Sequence, residues 1–357
     1  MSSAPVPPSG AGLGLHRAED LGALWRELTA DVPDGDRGAR ALLAALGTEG
    51  RHARRAYGAL GLGVRRALTW EPADRRDPRW WPQGISDPHE PGGDLLLTTW
   101  YSKKLDGVSH GSRITALDVR RRRYLHVLLV EPRAGRDGGP PTFRPLQVHA
   151  GGLVWWGDWV HVAATARGFA TCHLDDLVRV PAAWRERTFG HSWVLPMRVA
   201  HRARTADGTD PLRYSFLSLD DHDPAHPALV VGEYGRGRQT RRLVRWPLDP
   251  ADRLPAVDAS GRAEPIEVLD GVPGMQGALR REDRWVVSTS HGPTTPGSLW
   301  VRRDADGAWR RRRWATPVGP EDLTVRGGAD GAGGDEVWTV TEHPRRRWVV
   351  GMRMPRD

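Results

Sequence analysis

A chain of 357 residues, 39% of them hydrophobic, has material for one large domain with an ordinary core and a smaller appendage. No apolar run approaches the roughly 20 residues that span a bilayer, and a single cysteine, Cys172, excludes an internal disulfide or a cysteine metal cluster; its apolar surroundings mark it as a buried thiol. The net charge of +8 is almost all arginine, since Lys103 and Lys104 are the only lysines, and with high Ala, Gly and Pro this reads as coding bias. The Arg runs at 120–123, 310–313 and 345–347 fall at expected strand edges and turns, where charge deters edge pairing. No stacking platform or binding motif accompanies them, so nucleic acid is not an expected partner.

In chain order, residues 1–17 are rich in Pro, Gly and Ser, with neither a basic start nor a continuous apolar stretch. They read as a disordered leader rather than a secretory signal, and a cytoplasmic location is the expectation. Residues 18–64 read as a helical N-terminal extension. Leu21, Leu24, Trp25 and Leu28 share one stripe of a helix over 18–29, and Ala-rich stretches at 40–46 and 52–60 follow as two more. None carries a cofactor or metal motif, which makes the extension a structural cap.

Residues 65–357 change to short strands between turn signals, an all-β pattern. Innermost-type strands align at 82–85, 149–153, 214–217, 275–279 and 320–323. Second strands fall at 95–100, 159–163, 228–232, 284–287 and 337–340, and third strands at 113–119, 168–174, 242–248, 298–302 and 347–352. Fourth strands fall at 124–130, 193–200, 265–269 and 309–314. Repeats of roughly 45–65 residues built from four antiparallel strands mark a β-propeller, in which radial packing hides sheet edges. The expectation is five blades of four strands. The last phrase has three strands, so 65–70 is expected to pair with it and close the ring. A six-bladed ring, with 181–210 as an extra blade, is the alternative.

The blade openings Pro82-Gln83-Gly84, His149-Ala150-Gly151-Gly152, Gln276-Gly277 and Pro320-Glu321-Asp322-Leu323 resemble those of a group of bacterial five-bladed β-propeller proteins. The resemblance covers about residues 80–354 and implies the fold without implying an activity. Those relatives look mostly secreted, and this chain departs from them in lacking a signal.

In a propeller blade the start of the first strand and the end of the second share one face, and ligands use that funnel mouth. Here that face collects Gln83, His149, Gln276, Glu321 and Asp322 from first strands, and Trp100, Tyr101, Glu233, Tyr234, Ser290, His291, Glu342 and His343 from second strands. For an acid/base enzyme of hydrolase, lyase or cyclase type, His149 with Glu321 and Asp322 would be catalytic. Gln83 and Gln276 would then orient a small-molecule ligand, and Trp100, Tyr101 and Tyr234 would wall it. Lys103 and Lys104 sit at the same rim as anion contacts. No flavin, nicotinamide or haem motif is present, and no compact ligand motif such as His-Glu-x-x-His, so neither cofactor nor metal is expected. Gln83 and Gln276 could equally lock blades together, and the alternative function is a non-catalytic ligand- or protein-binding scaffold.

Overall fold

The structure, a computed structural model, describes residues 10, 12–89, 93–305, 307–327 and 335–355. It is a β-propeller. The strands of these residues form five sheets, whose inner strands are Trp80–Ser86, Leu153–Trp156, Phe216–Asp220, Met275–Arg281 and Pro320–Arg326. Each inner strand touches the next in chain order, and the last touches the first. Second strands such as Leu95–Ser102 and Ala228–Gly232 are almost wholly buried, because both faces pack against neighbouring sheets. That is why they read as continuous apolar runs instead of alternating. Trp100, Trp246, Trp285 and Trp338 fill the spaces between sheets and are 0–1% exposed.

Blades of four strands each are a partial description, since only the third and fourth sheets have that form. The first is an eight-stranded sheet: Trp193–Pro196 adds in parallel to Arg123–Arg133, and Val178–Arg179, Thr142–Pro145 and Arg51–His52 extend it further. The second has six strands and the last five. The insertion at 181–210 makes no blade of its own. It is divided between Trp193–Pro196 in the first sheet and Val199–Thr205 in the second. In the last sheet Val64–Thr69 pairs antiparallel with Trp348–Arg353, the pairing expected of 65–70.

The N-terminal expectations need two corrections. Leu13–Arg17 is a strand rather than part of a disordered leader; it lies between Val199–Thr205 and Arg262–Ala263, with Leu13 and Leu15 buried. Residues 1–9 and 11 lie outside the described residues. Helices form at Gly22–Leu28 and Gly38–Glu49, but 52–60 is not helical. Arg51–His52 and Arg54–Arg55 are instead recruited as edge strands by Arg123–Arg133 and Val64–Thr69, sheet pairing overriding Ala propensity. Trp25 anchors the first helix by an edge contact with Phe143 at 6.3 Å. No helix among the described residues is long and apolar enough to cross a membrane. Cys172 is fully buried, and burial pushes its thiol far above the ordinary range.

Candidate functional site

Three inner strands slip register against their second strands: between Pro82 and Ile85, between Met275 and Gly277, and between Pro320 and Leu323. A bulge adds a residue that the ladder cannot pair and re-aims its side chain. The displaced residues are Gln83, Gln276, Glu321 and Asp322, which explains why the Pro-Gln-Gly and Pro-Glu-Asp-Leu openings carry polar residues inside a buried strand. Glycine is required beside them because the sheets converge. A Cβ on Gly84 would lie 2.7 Å from Gly152 Cα, and one on Gly152 would lie 2.3 Å from Leu217 N.

The side chains meet around Glu321. Gln276 Nε2 donates to Glu321 Oε1 at 3.1 Å, and Gln83 Nε2 donates to Glu342 Oε2 at 3.4 Å. The Glu321 and Glu342 carboxyls, held by Gln276 and Gln83 respectively, lie near enough for the charge of Glu342 to act on Glu321. Burial, then the charges of Glu342 and Asp322, push the Glu321 carboxyl well above its ordinary range. Burial also raises Glu342, while His343, Gln83, Lys103 and Arg347 oppose the rise. Glu321 is 4% exposed, whereas Glu342 is partly open to solvent.

Aromatic and cationic groups wall this pair. Burial and the two glutamates push the Tyr101 hydroxyl up to about 12. The His149 ring, exposed at the rim, lies 4.1 Å from the Tyr101 ring, and desolvation together with Lys103 lowers its pKa. Lys103 Nζ sits 3.2 Å over the Trp81 ring, and His343 meets the same indole edge-on at 6.1 Å. His343 Nδ1 is 3.7 Å from Glu342 Oε1. Behind them Arg347, fully buried, donates from Nε to the Glu342 carbonyl at 3.0 Å and from Nη1 to the Asp74 carbonyl at 2.7 Å. Burial lowers its pKa to about 10, so it stays a cation at neutral pH. It holds the loop that carries Glu342.

The other expected residues have different surroundings. Trp100 is buried behind the mouth against Trp70 and donates to Thr98 Oγ1. Glu233 is fully buried and is bound by the Arg242 guanidinium through both carboxylate oxygens at 2.9–3.0 Å, which lowers its pKa despite burial. Tyr234 lies beside Arg236. Ser290 accepts from Gly292 N, and His291 pairs with Ser298 and Arg311 in its own sheet. No contact joins these four to the carboxyl pair. Asp322, expected beside Glu321 in catalysis, is 0% exposed and its Oδ2 accepts from Ile85 N at 3.4 Å and Leu153 N at 3.2 Å. Burial nevertheless pushes this carboxyl well above its ordinary range, against the opposing pull of the backbone N–H groups around it. Asp322 thus joins its own inner strand to those of the first and second sheets at the axis.

Sequence reasoning passed over Trp81, Arg347 and Asp74. Arg347 stood in an arginine run and carried no mark of burial. Asp74 stood in a charged connector, yet it receives Arg51 Nη1 at 2.9 Å and the Tyr124 hydroxyl at 2.6 Å, with His126 Nε2 at 3.2 Å.

No protein-family model matches the chain, and no curated sequence is significantly similar to it. Solved structures that align with it include an endo-arabinase from Bacteroides thetaiotaomicron, at 10% identity over 77% of this chain and 99% of that one, with a TM-score of 0.41. A GH43 β-1,3-galactosidase aligns at 10% identity over 79% and 95%, with a TM-score of 0.38. Kuenenia stuttgartiensis hydrazine synthase aligns at 9% identity over 74% and 75%, with a TM-score of 0.35. Likeness at this level carries no inference about activity, so the site is read from its own geometry.

Past Asp322, at the opposite end of the axis, a cavity of about 250 Å³ is lined by Asp87, His89, Ser218, Asp221 and Thr324 among others. His89 lies between two carboxylates, with Nε2 3.5 Å from Asp87 and Nδ1 3.5 Å from Asp221. Burial alone would lower its pKa, but the two acids outweigh burial and raise it. No group of three or more His, Cys, Asp or Glu among the described residues is placed to hold a metal ion.

Proposed function

We propose that the mouth around Glu321 is the active site of a non-redox enzyme acting on a small molecule, and that the Glu321–Glu342 pair is its acid/base machinery. The reading takes the five sheets as five blades of one ring, with this mouth as its funnel. The observation that carries it is the pairing of a buried carboxyl, Glu321, held by Gln276, with a second carboxyl, Glu342, held by Gln83, where burial and like charge favour a single proton on the pair. Glu321, the more buried, keeps the proton. Glu342, with Gln83, Lys103 and Arg347 around it, is the ionised partner. Glu342 takes a proton from water or a substrate hydroxyl while Glu321 gives its proton to the departing atom, and the pair again holds one proton after turnover. Hydrolysis, elimination and cyclisation all fit that exchange.

His149, expected as the base, contacts Tyr101 rather than Glu321, so in this reading it walls the pocket. A scaffold reading draws on the same glutamines: Gln83 ties the first sheet to the last, and Gln276 ties the fourth to the last. The test is incubation of wild type and Glu321→Gln with a metabolite extract, read by mass spectrometry. A metabolite consumed by wild type alone supports the enzyme. A ligand retained unchanged by wild type, or equal consumption by both, refutes it.

A further inference from the structure

Lys103 and Arg347 are cations of the mouth with no acid at contact distance among the described residues, and of the two Lys103 is the less buried. Arg347 spends Nε and Nη1 on backbone carbonyls. The neighbouring cation Arg79 reaches Asp106 and the Val108 carbonyl. Lys103 makes no ion pair or side-chain hydrogen bond among the described residues; its ammonium rests on the Trp81 ring at 3.2 Å. A π face attracts a cation without neutralising it and uses none of its N–H donors in a conventional bond. The ammonium is therefore held in place with its N–H donors still available and its charge offset only at a distance by Glu342. The acid whose charge reaches it is Glu342, which lies beyond ion-pair distance. The neutral groups beside it, Tyr101 and His149, add no compensating acid.

We propose that this mouth selects a small molecule bearing an oxyanion, a carboxylate or a phosphate, which binds the Lys103 ammonium on its Trp81 seat and so brings the reacting bond to the carboxyl pair. The proposal rests on the acid/base reading for its second half only. Lys103 is thus a specificity-determining residue. Lys104, exposed and next in the chain, is not part of the site.

The sequence supplies the means of testing this, because its only lysines are Lys103 and Lys104. Lysine labelled with ¹³C at the ε carbon gives two side-chain resonances, assigned with Lys104→Arg. Acetate and inorganic phosphate are titrated separately at constant ionic strength. The Lys103 resonance should shift saturably and its pKa should rise, while Lys104 stays unmoved. Whichever anion saturates at the lower concentration identifies the group as carboxylate or phosphate. Stabilisation of the wild type by that anion in thermal unfolding should weaken roughly tenfold or more in Lys103→Gln, the loss expected for a charge-assisted bond. Glu321→Gln should leave the Lys103 response intact, so an anion site persists even where the acid/base reading fails. Lysines that respond alike, or without saturation for either anion, would indicate an adventitious ion only and overturn the proposal.

Discussion

Replacing Asp322 tests whether that residue is a reactant or a fastening. In Asp322→Ala the backbone N–H groups of Ile85 and Leu153 lose their acceptor in a tightly packed axis. An orphaned buried donor costs about 1–3 kcal/mol. The two bonds, at 3.2 and 3.4 Å, are long, so the low end applies and together they come to roughly 2 kcal/mol. Asp322→Asn behaves differently. The donors with measured lengths converge on Oδ2, which the amide oxygen replaces, and Oδ1 already lacks a partner. Its cost should be about 1 kcal/mol, that of one amide N–H group left unpaired. Urea unfolding of the three proteins reads both values. An Ala variant as stable as wild type, or an Asn variant as weak as the Ala variant, would refute the fastening role.

Other perturbations follow from the same contacts. Deleting residues 1–17 removes Leu13 and Leu15 from the core and bares the edge of Val199–Thr205; at about 1.5–3 kcal/mol per leucine the loss should be roughly 3–6 kcal/mol, seen as a lower urea midpoint and aggregation. Equal solubility of the deleted and full chains would count against it. His161 is fully buried and burial holds its pKa at about 4, so below about 6.5 the unfolded chain binds the extra proton. Stability should fall as pH drops from about 6.5 to 4, by on the order of 3 kcal/mol from this group, and His161→Gln should flatten that slope. His89 has the opposite sign. Its pKa is raised in the folded state, so its clamp on Asp87 and Asp221 is present at acidic pH and lost as pH rises through the folded value. The stability difference between wild type and His89→Gln should therefore shrink toward alkaline pH; a constant difference would show that His89 acts through packing.

Strand order and the polar character of one mouth were legible because they rest on local signals. Turn residues separate runs such as Leu95–Ser102, and Pro-Gln-Gly or Pro-Glu-Asp-Leu breaks an apolar inner strand with groups a core has no use for. Whatever depends on distant pairing was not legible. Leu13–Arg17 is a plain short strand whose partners lie about residues 201–205 and 262–263. Glu321 and Glu342 lie at the open end of one hairpin, where the bulge between Pro320 and Leu323 re-aims Glu321. Glu233 and Glu342 occupy equivalent places in their sheets. The first is neutralised by Arg242, nine residues on, and the second faces a like charge; alternation and turn signals do not distinguish the two cases.

The central claim is that Glu321 and Glu342 share one proton at neutral pH. Carbon-13 NMR of protein labelled at glutamate side-chain carboxyls, assigned with Glu321→Gln and Glu342→Gln, measures it directly. The pair should titrate in two coupled steps, with one proton retained well above the free glutamate value of about 4.3. Each single substitution should collapse the coupling and return the remaining carboxyl toward its ordinary range. Two glutamates titrating independently near that free value would contradict the account.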